Sequence, residues 1–181
     1  MKIEAISPTS ATQVGTSAGQ NLAVFKVTNN GGSSITLSST TQGLSFTNGG
    51  SATTTTSFKI YSSAMGGGQS DTSGWNTGNG ILAVAGTTGA SSSVAFATTT
   101  LSAAEKKIDG GSWRYLTIRN TAAVANNDTF QFSVSALGNI LFNADEADLG
   151  YSGNSDSDLS DAINNLYVDG IPALSTVTAK T

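Results

Sequence analysis

Apolar and polar residues alternate in short runs along most of the chain, and clusters of Gly, Ser, Thr and Asn separate the runs. A period of two puts the apolar side chains on one face of an extended strand, so this pattern predicts half-buried antiparallel strands. The predicted strands cover residues 23–28, 35–37, 44–46, 58–61, 81–85, 94–96, 113–119, 130–134, 140–142 and 174–178. No period of about 20–50 residues repeats, which argues against a solenoid or a propeller. We therefore expect one all-β domain over residues 1–181, built as an antiparallel β-sandwich.

Local signals add detail to this pattern. Residues 29–32, Asn-Asn-Gly-Gly, tolerate positive φ between two alternating runs, so they predict a hairpin that joins residues 23–28 to residues 35–37. Residues 155–166 instead have apolar positions at a helical spacing, which predicts one short helix near the C-terminus. Ser102 and Glu105 have the spacing of a capping box, which suits either one helical turn or the edge of a strand.

The composition removes most enzyme chemistry. The chain has 8 Lys+Arg, 12 Asp+Glu, no His and no Cys, and its formal net charge is −4. Without imidazole or thiol there is no Ser-His-Asp or Cys-His nucleophile system, no disulfide and no ordinary zinc site. The chain has three glutamates, Glu4, Glu105 and Glu146, and nothing in the sequence marks any two of them as the acid and base of a glycosidase. We predict that the protein is not an enzyme.

The same composition bears on location and partners. Charged residues make up only 11% of the chain, against about 25% in an average protein, so the surface must consist mainly of hydroxyl and amide groups. Such surfaces are typical of extracellular and cell-surface proteins, and that is the expected location. An acidic chain with scattered basic residues is repelled by phosphate backbones, so nucleic acid is not an expected partner. No run approaches the ~20 apolar residues of a membrane span, so membrane insertion is not expected either.

Two stretches of sequence resemble a known class of protein. Residues 6–10 and 19–29 resemble the opening strands of immunoglobulin-like sandwich modules in large bacterial and archaeal cell-surface proteins. Residues 150–161 and 166–172 are similar to the closing segment of Ser/Thr-rich bacterial surface proteins. The resemblance implies an immunoglobulin-like sandwich with a structural or adhesive role in a stalk, surface layer, pilus or adhesin.

This implied role suggests how the chain would assemble. The expected partners are other copies of the chain or other cell-surface proteins. Residues 2–14 or 167–181 would supply a strand to the exposed sheet edge of a neighbouring copy, because strand addition needs main-chain hydrogen bonds but no charged contacts.

An acidic stretch near the C-terminus is a candidate calcium site, because Ca²⁺ prefers several carboxylate and carbonyl oxygens. The candidate ligands are Asn154, Asp156, Asp158 and Asp161. The first three follow the spacing of a calcium loop, but Leu159 replaces the required glycine and Asn165 the bidentate glutamate. Alternatively, Asp156 and Asp158 lie in the first turn of the predicted helix, where carboxylates stabilise unpaired amides. No other cofactor is expected.

Three aromatic residues are candidates for an alternative function, carbohydrate binding. Trp113 and Tyr115 share one face of a predicted strand, whose other face holds Arg114 and Leu116, and two such rings can form a platform for sugar rings. The preferred interpretation is that both rings cover one end of the core with their polar atoms at the rim. Trp75 lies among Gly, Ser, Thr and Asn, so it is either folded down as a lid or exposed as an interaction anchor.

Overall fold

A computed structural model describes residues 2–32, 34–37, 41, 43–53, 56–65, 80–86, 93–134, 142–143 and 174–181. In chain order its elements are β1 (Lys2–Ser7), β2 (Thr12–Gly15), β3 (Asn21–Thr28), β4 (Ile35–Leu37), β5 (Leu44–Asn48), β6 (Phe58–Met65), β7 (Ile81–Ala85), β8 (Ser93–Phe96), the helical turn α1 (Ala103–Lys106), β9 (Lys107–Ile108), β10 (Trp113–Asn120), β11 (Thr129–Phe130), β12 (Phe132–Ser133), β13 (Phe142–Asn143) and β14 (Val177–Lys180). This confirms the prediction of an all-β fold.

The strands form a curled antiparallel sheet. Eight of them pair in the order β1-β3-β10-β6-β7-β8-β5-β12. Strand β11 comes just before β12 in the chain, with only Gln131 between them. It pairs with β14, and β14 pairs with β2. Strands β13, β4 and β9 form a separate three-stranded sheet. The series of neighbouring strands thus begins with β1 and continues through β12, β11 and β14 to β2. Since β1 and β2 are consecutive in the chain, the sheet must curl to bring these two strands of the series close together.

Phenylalanine rings join the two halves of the curled sheet. Phe25 of β3 lies 5.1 Å from Phe46 of β5, measured between ring centroids. Phe58 of β6 meets Phe130 and Phe132 edge to face, at 6.0 and 5.3 Å. All five rings are at most 1% exposed. Since the strands in contact lie far apart in the ladder, the halves pack face to face around one sandwich-like core.

The N-terminal segment contributes to both halves. Strand β1 is antiparallel to β3, with Lys2 opposite Thr28. After Pro8 the chain leaves that half, and β2 runs parallel to β14, with Thr12 opposite Val177. Residues 2–15 therefore lie along one side of the sandwich and belong first to one half and then to the other.

Buried asparagines fasten the loops at the ends of the strands. Asn29 donates from Nδ2 to the Ile108 carbonyl, and its Oδ1 accepts the Gly31 amide, both at 3.0 Å. Asn120 donates from Nδ2 to the carbonyls of Ser17 and Ala122 at 2.9 and 2.8 Å. Its Oδ1 accepts the Gln20 amide at 2.7 Å. These side chains supply the partners that backbone groups lose where a strand ends.

The predicted hairpin is wrong. Strand β3 pairs with β1 and β10, whereas β4 pairs with β9 and β13. The turn residues do redirect the chain, but the Asn29 amide donates to the Ser112 carbonyl at 2.9 Å and the Asn29 carbonyl accepts from Gly111. The chain is thereby held against the loop before β10, and it crosses away from β3 instead of folding back on it.

Other local predictions fared better. Strands β3, β5, β6, β7, β8 and β10 lie where alternation predicted them. Ser102 caps α1 in a complete capping box with Glu105, which confirms the helical alternative at that position. The predicted strand 130–134 is divided into β11 and β12 at Gln131. The predicted helix at residues 155–166 lies outside the described residues.

Candidate functional site

Four neighbouring strands, β1, β3, β10 and β6, turn one broad face away from the core. Along β10 the side chains alternate, so Leu116 and Ile118 are buried inward while Trp113, Tyr115 and Arg119 are half-buried on the opposite side. The register extends this second side across the neighbouring strands, because directly paired residues point to the same face. We call this surface the outer face. Its residues are Lys2 and Glu4 of β1, Val24, Lys26 and Thr28 of β3, Trp113, Tyr115, Thr117 and Arg119 of β10, and Lys59 and Tyr61 of β6.

Three aromatic rings lie on the outer face. Trp113 is opposite Thr28, Tyr115 is opposite Lys26, and Tyr61 is opposite Thr117. Thr117 is only 7% exposed and forms part of the floor between the larger side chains. The rings are half-buried and none belongs to the hydrophobic core cluster. Each therefore has part of its surface available outside the core.

Two of these rings carry a cation. The Lys26 ammonium lies 4.9 Å from the centroid of the Trp113 ring, and the Arg119 guanidinium lies 4.7 Å from that of Tyr61. Both distances are within the ~6 Å at which the negative face of a ring attracts a cation. Arg119 also donates from Nε to Asn21 Oδ1 at 2.6 Å, which fixes the plane of the guanidinium. The outer face thus presents two ordered pairs of a cation and a ring.

Glu4 is the one acidic residue among the described residues of the outer face. Its carboxylate lies 2.8 Å from the Lys2 ammonium. The hydrogen bond from Lys2 lowers the pKa of Glu4 below its ordinary value, and the positive charges of Lys2 and Lys26 lower it further. The cations on this face are Lys2, Lys26, Lys59 and Arg119, which are four of the 8 basic residues of the chain. Four cations and one anion leave a positive surface on an acidic chain.

A glycine shapes one border of the outer face. Gly80 has φ +52°, and a Cβ at this position would lie 2.9 Å from two ring atoms of Tyr61. The Tyr61 ring therefore lies directly against the backbone before β7, where a side chain would push it away. Beyond it, Leu82 and Val84 are 51% and 53% exposed and continue the surface as an apolar margin.

The inward side of β10 holds a buried arginine. Arg114 is 1% exposed. It donates from Nη1 to Ser62 Oγ at 2.7 Å and from Nη2 to the Lys107 carbonyl at 3.3 Å. Arg114 and Leu116 therefore lie on the side opposite Trp113 and Tyr115, as alternation along the strand requires.

The structure brings together only part of the predicted site residues. Trp113 and Tyr115 lie on the outer face, two positions apart on β10. Trp75 and the four candidate calcium ligands, Asn154, Asp156, Asp158 and Asp161, lie outside the described residues. Within the described ranges, no group of three or more acidic residues is arranged so that it could hold a metal ion.

The sequence pattern did not predict the residues that accompany Trp113 and Tyr115. Lys26, Lys59, Tyr61 and Arg119 come from three strands whose neighbours in the sheet the sequence did not reveal. A signal was nevertheless present, because Lys26, Lys59 and Arg119 each occupy an outward position in an alternating run. The outward positions of the predicted strands, taken together, contain the cations and aromatic rings that the structure places on the outer face.

No protein-family model matches the chain, and no curated protein or solved structure matches it either. Within the part of the chain that the structure describes, no helix has the length and apolar character needed to cross a bilayer.

Proposed function

We propose that the protein is an extracellular structural or adhesive module of a cell-surface assembly or filament, in which copies associate by β-strand addition. The observation that carries this proposal is the arrangement of its first and last strands. The hydroxyl-rich composition and the resemblance to cell-surface modules support an extracellular location.

The two terminal strands reach opposite ends of the sandwich. Lys2 pairs with Thr28, beside the first residue of β10, Trp113. At the other end, Lys180 pairs with Gly15, and the Thr16 carbonyl accepts the Val124 amide just beyond the last residue of β10. The eight residues of β10 separate these ends by about 24 Å. Tension between the chain ends would therefore run along the strands and shear β2 against β14.

The order of the strands supports the finer assignment, an immunoglobulin-like sandwich. We leave aside β2, β4, β7, β8, β9 and β13, and we count β11 and β12 as one strand. The remaining strands in chain order, lettered A to G, are β1, β3, β5, β6, β10, β11/β12 and β14. Their hydrogen-bonded orders are then A-B-E-D and C-F-G, as in the immunoglobulin sandwich. Here β7 and β8 also join the two sheets along one side.

Strand β14 is suited to exchange between copies. It lies between β2 and β11, where Val177 and Ala179 are at most 1% exposed. A strand from a neighbouring copy would make the same contacts, so exchange costs little in packing.

A disulfide trap tests the exchange. Gln13 and Thr178 are paired in register across β2 and β14, and neither side chain is buried. The chain has no cysteine, so every disulfide in the Gln13→Cys/Thr178→Cys variant comes from this pair. At high protein concentration we expect oxidation to give a ladder of covalent oligomers on a non-reducing gel, which reductant removes.

The controls are the two single-cysteine variants, which can form nothing larger than a disulfide-linked dimer. A double variant that yields only monomers with an internal disulfide, at every concentration, would show that β14 stays with its own chain. The proposal of strand exchange would then be wrong.

Carbohydrate binding is the second candidate function. The observation that favours it is the outward position of Trp113 and Tyr115 on a broad sheet face. Aromatic rings held on a rigid sheet bind the apolar faces of sugar rings with little loss of conformational entropy.

A further inference from the structure

We propose that the outer face binds an acidic polysaccharide, because it holds cations and aromatic rings together on one broad face of the sheet. This inference names a ligand class for the second candidate function and rests on it. The ligand is a chain of sugar rings that carry carboxylates.

The first argument is charge. Glu4 pairs with Lys2 at 2.8 Å and lies opposite Lys26, so this single acid offsets one of the four cations, and the described outer face keeps an excess of three positive charges from Lys2, Lys26, Lys59 and Arg119. The whole chain has a net charge of −4, so these cations are concentrated against the overall trend. A neutral sugar gains nothing from them, whereas a polyanion does.

The second argument is the pairing of each cation with a ring. Lys26 lies over Trp113 and Arg119 lies over Tyr61, at 4.9 and 4.7 Å. A sugar acid has the complementary parts, since its carboxylate accepts hydrogen bonds from an ammonium or guanidinium, and its C–H face packs on an aromatic ring such as Tyr115, which lies on β10 between the two cation–ring pairs. Arg119 is further held by Asn21, so its donors are already oriented before a ligand binds.

The third argument is the spacing. Trp113 and Arg119 are six residues apart on β10, which corresponds to about 20 Å along an extended strand. Tyr115 and Thr117 lie between them on the same side. The surface is therefore long enough for several consecutive sugar rings, and its repeated elements suit a polymer better than a single sugar.

Single-stranded nucleic acid also binds to surfaces that combine cations with aromatic rings. That partner generally requires a strongly basic domain, because contacts with phosphates supply most of the affinity. The isoelectric point of this chain is near 4.5. The observations therefore favour a carboxylated glycan.

The test compares binding of polygalacturonate and of its methyl ester, which has the same rings without the charges, by isothermal titration calorimetry in a calcium-free buffer. We expect polygalacturonate to bind with an affinity that falls as NaCl is raised, and its ester to bind about tenfold more weakly. The Lys26→Gln/Arg119→Gln variant should lose about tenfold in affinity for polygalacturonate. Trp113→Ala should weaken binding of both polymers. The control Lys106→Gln removes a cation from α1, away from the outer face, and should change nothing.

Several results would overturn the inference. Equal affinity for the two polymers would refute the acidic preference and leave carbohydrate binding standing, whereas no binding of either would refute both. Tighter binding of a single-stranded oligonucleotide than of polygalacturonate would assign the face to nucleic acid. If Lys26→Gln/Arg119→Gln abolished self-association in light scattering, without affecting polygalacturonate, the face would belong to a neighbouring copy. The disulfide trap tests the structural proposal separately, and far-UV circular dichroism verifies that each variant is folded.

Discussion

Asn120 offers a sharp test of how the sandwich is held together. It is 2% exposed and ends β10. Its side chain makes three hydrogen bonds, to the carbonyls of Ser17 and Ala122 and from the amide of Gln20. Substitution by alanine removes all three and leaves the loop between β2 and β3 tied to this region by backbone bonds alone, from the Gly19 amide to the Asn120 carbonyl and from the Val124 amide to the Thr16 carbonyl.

The loss can be estimated from those bonds. Each contributes about 0.5–1.5 kcal/mol net, so the three together give roughly 1.5–4.5 kcal/mol. Ser17 and Ala122 are exposed residues, so their carbonyls regain water in the variant, and the lower half of that range applies. We expect Asn120→Ala to lower the free energy of unfolding by about 2–3 kcal/mol.

Urea unfolding followed by tryptophan fluorescence and far-UV circular dichroism measures this loss. With a slope of about 2 kcal/mol per molar urea, the midpoint should fall by about 1–1.5 M. The control is Asn30→Ala, at an exposed position before Gly31, which should change stability by less than about 0.5 kcal/mol. If Asn120→Ala unfolds at the same urea concentration as Asn30→Ala, the buried asparagine does not fasten the loops and the reasoning fails.

Two further predictions concern charge and close packing. The hydrogen bonds from Lys107 and Ser34 lower the pKa of Asp109 below its ordinary value. Asp109 therefore stabilises the fold at neutral pH, and this contribution disappears as the pH falls through its lowered pKa. Asp109→Asn should remove that part of the acid sensitivity, in thermal melts below about pH 4. The effect should be at most a few tenths of a kcal/mol, since the side chain is 37% exposed. Gly50→Ala would put a Cβ 2.1 Å from a backbone oxygen of β11 and should cost about 1–3 kcal/mol in urea unfolding. Gly32→Ala has no atom within 4 Å and is its control; equal midpoints for the two variants would contradict this packing.

Alternation in the sequence was enough to locate strands but not to pair them. The predicted run 23–28 lies within strand β3 (Asn21–Thr28), because Ala23, Phe25 and Val27 at every second position can be buried together only in an extended chain. The turn residues 29–32, in contrast, did not determine which strand β4 pairs with. The outcome depended on Asn29, whose backbone bonds to the loop before β10 come from residues about eighty positions away. Contacts over such separations leave no local signal.

The candidate site shows the same limit. The common side of Trp113 and Tyr115 could be read from one strand, since it depends only on the period of two. The association of Lys26 with Trp113, and of Arg119 with Tyr61, requires the register between strands. That register is set by which faces are buried and by how the loops are tied, which a single strand does not encode.

The pairing of β2 with β14 determines when the fold can be completed. Gly15 pairs with Lys180, which is synthesised 165 residues later. At a synthesis rate of about 5–20 residues per second, that interval is roughly 8–33 s. During this interval β14 is missing from the sandwich, and Val14 lacks its partner on that strand, Ala179. The pairing of β2 with β14 is therefore a late step of folding, which cannot precede the synthesis of β14.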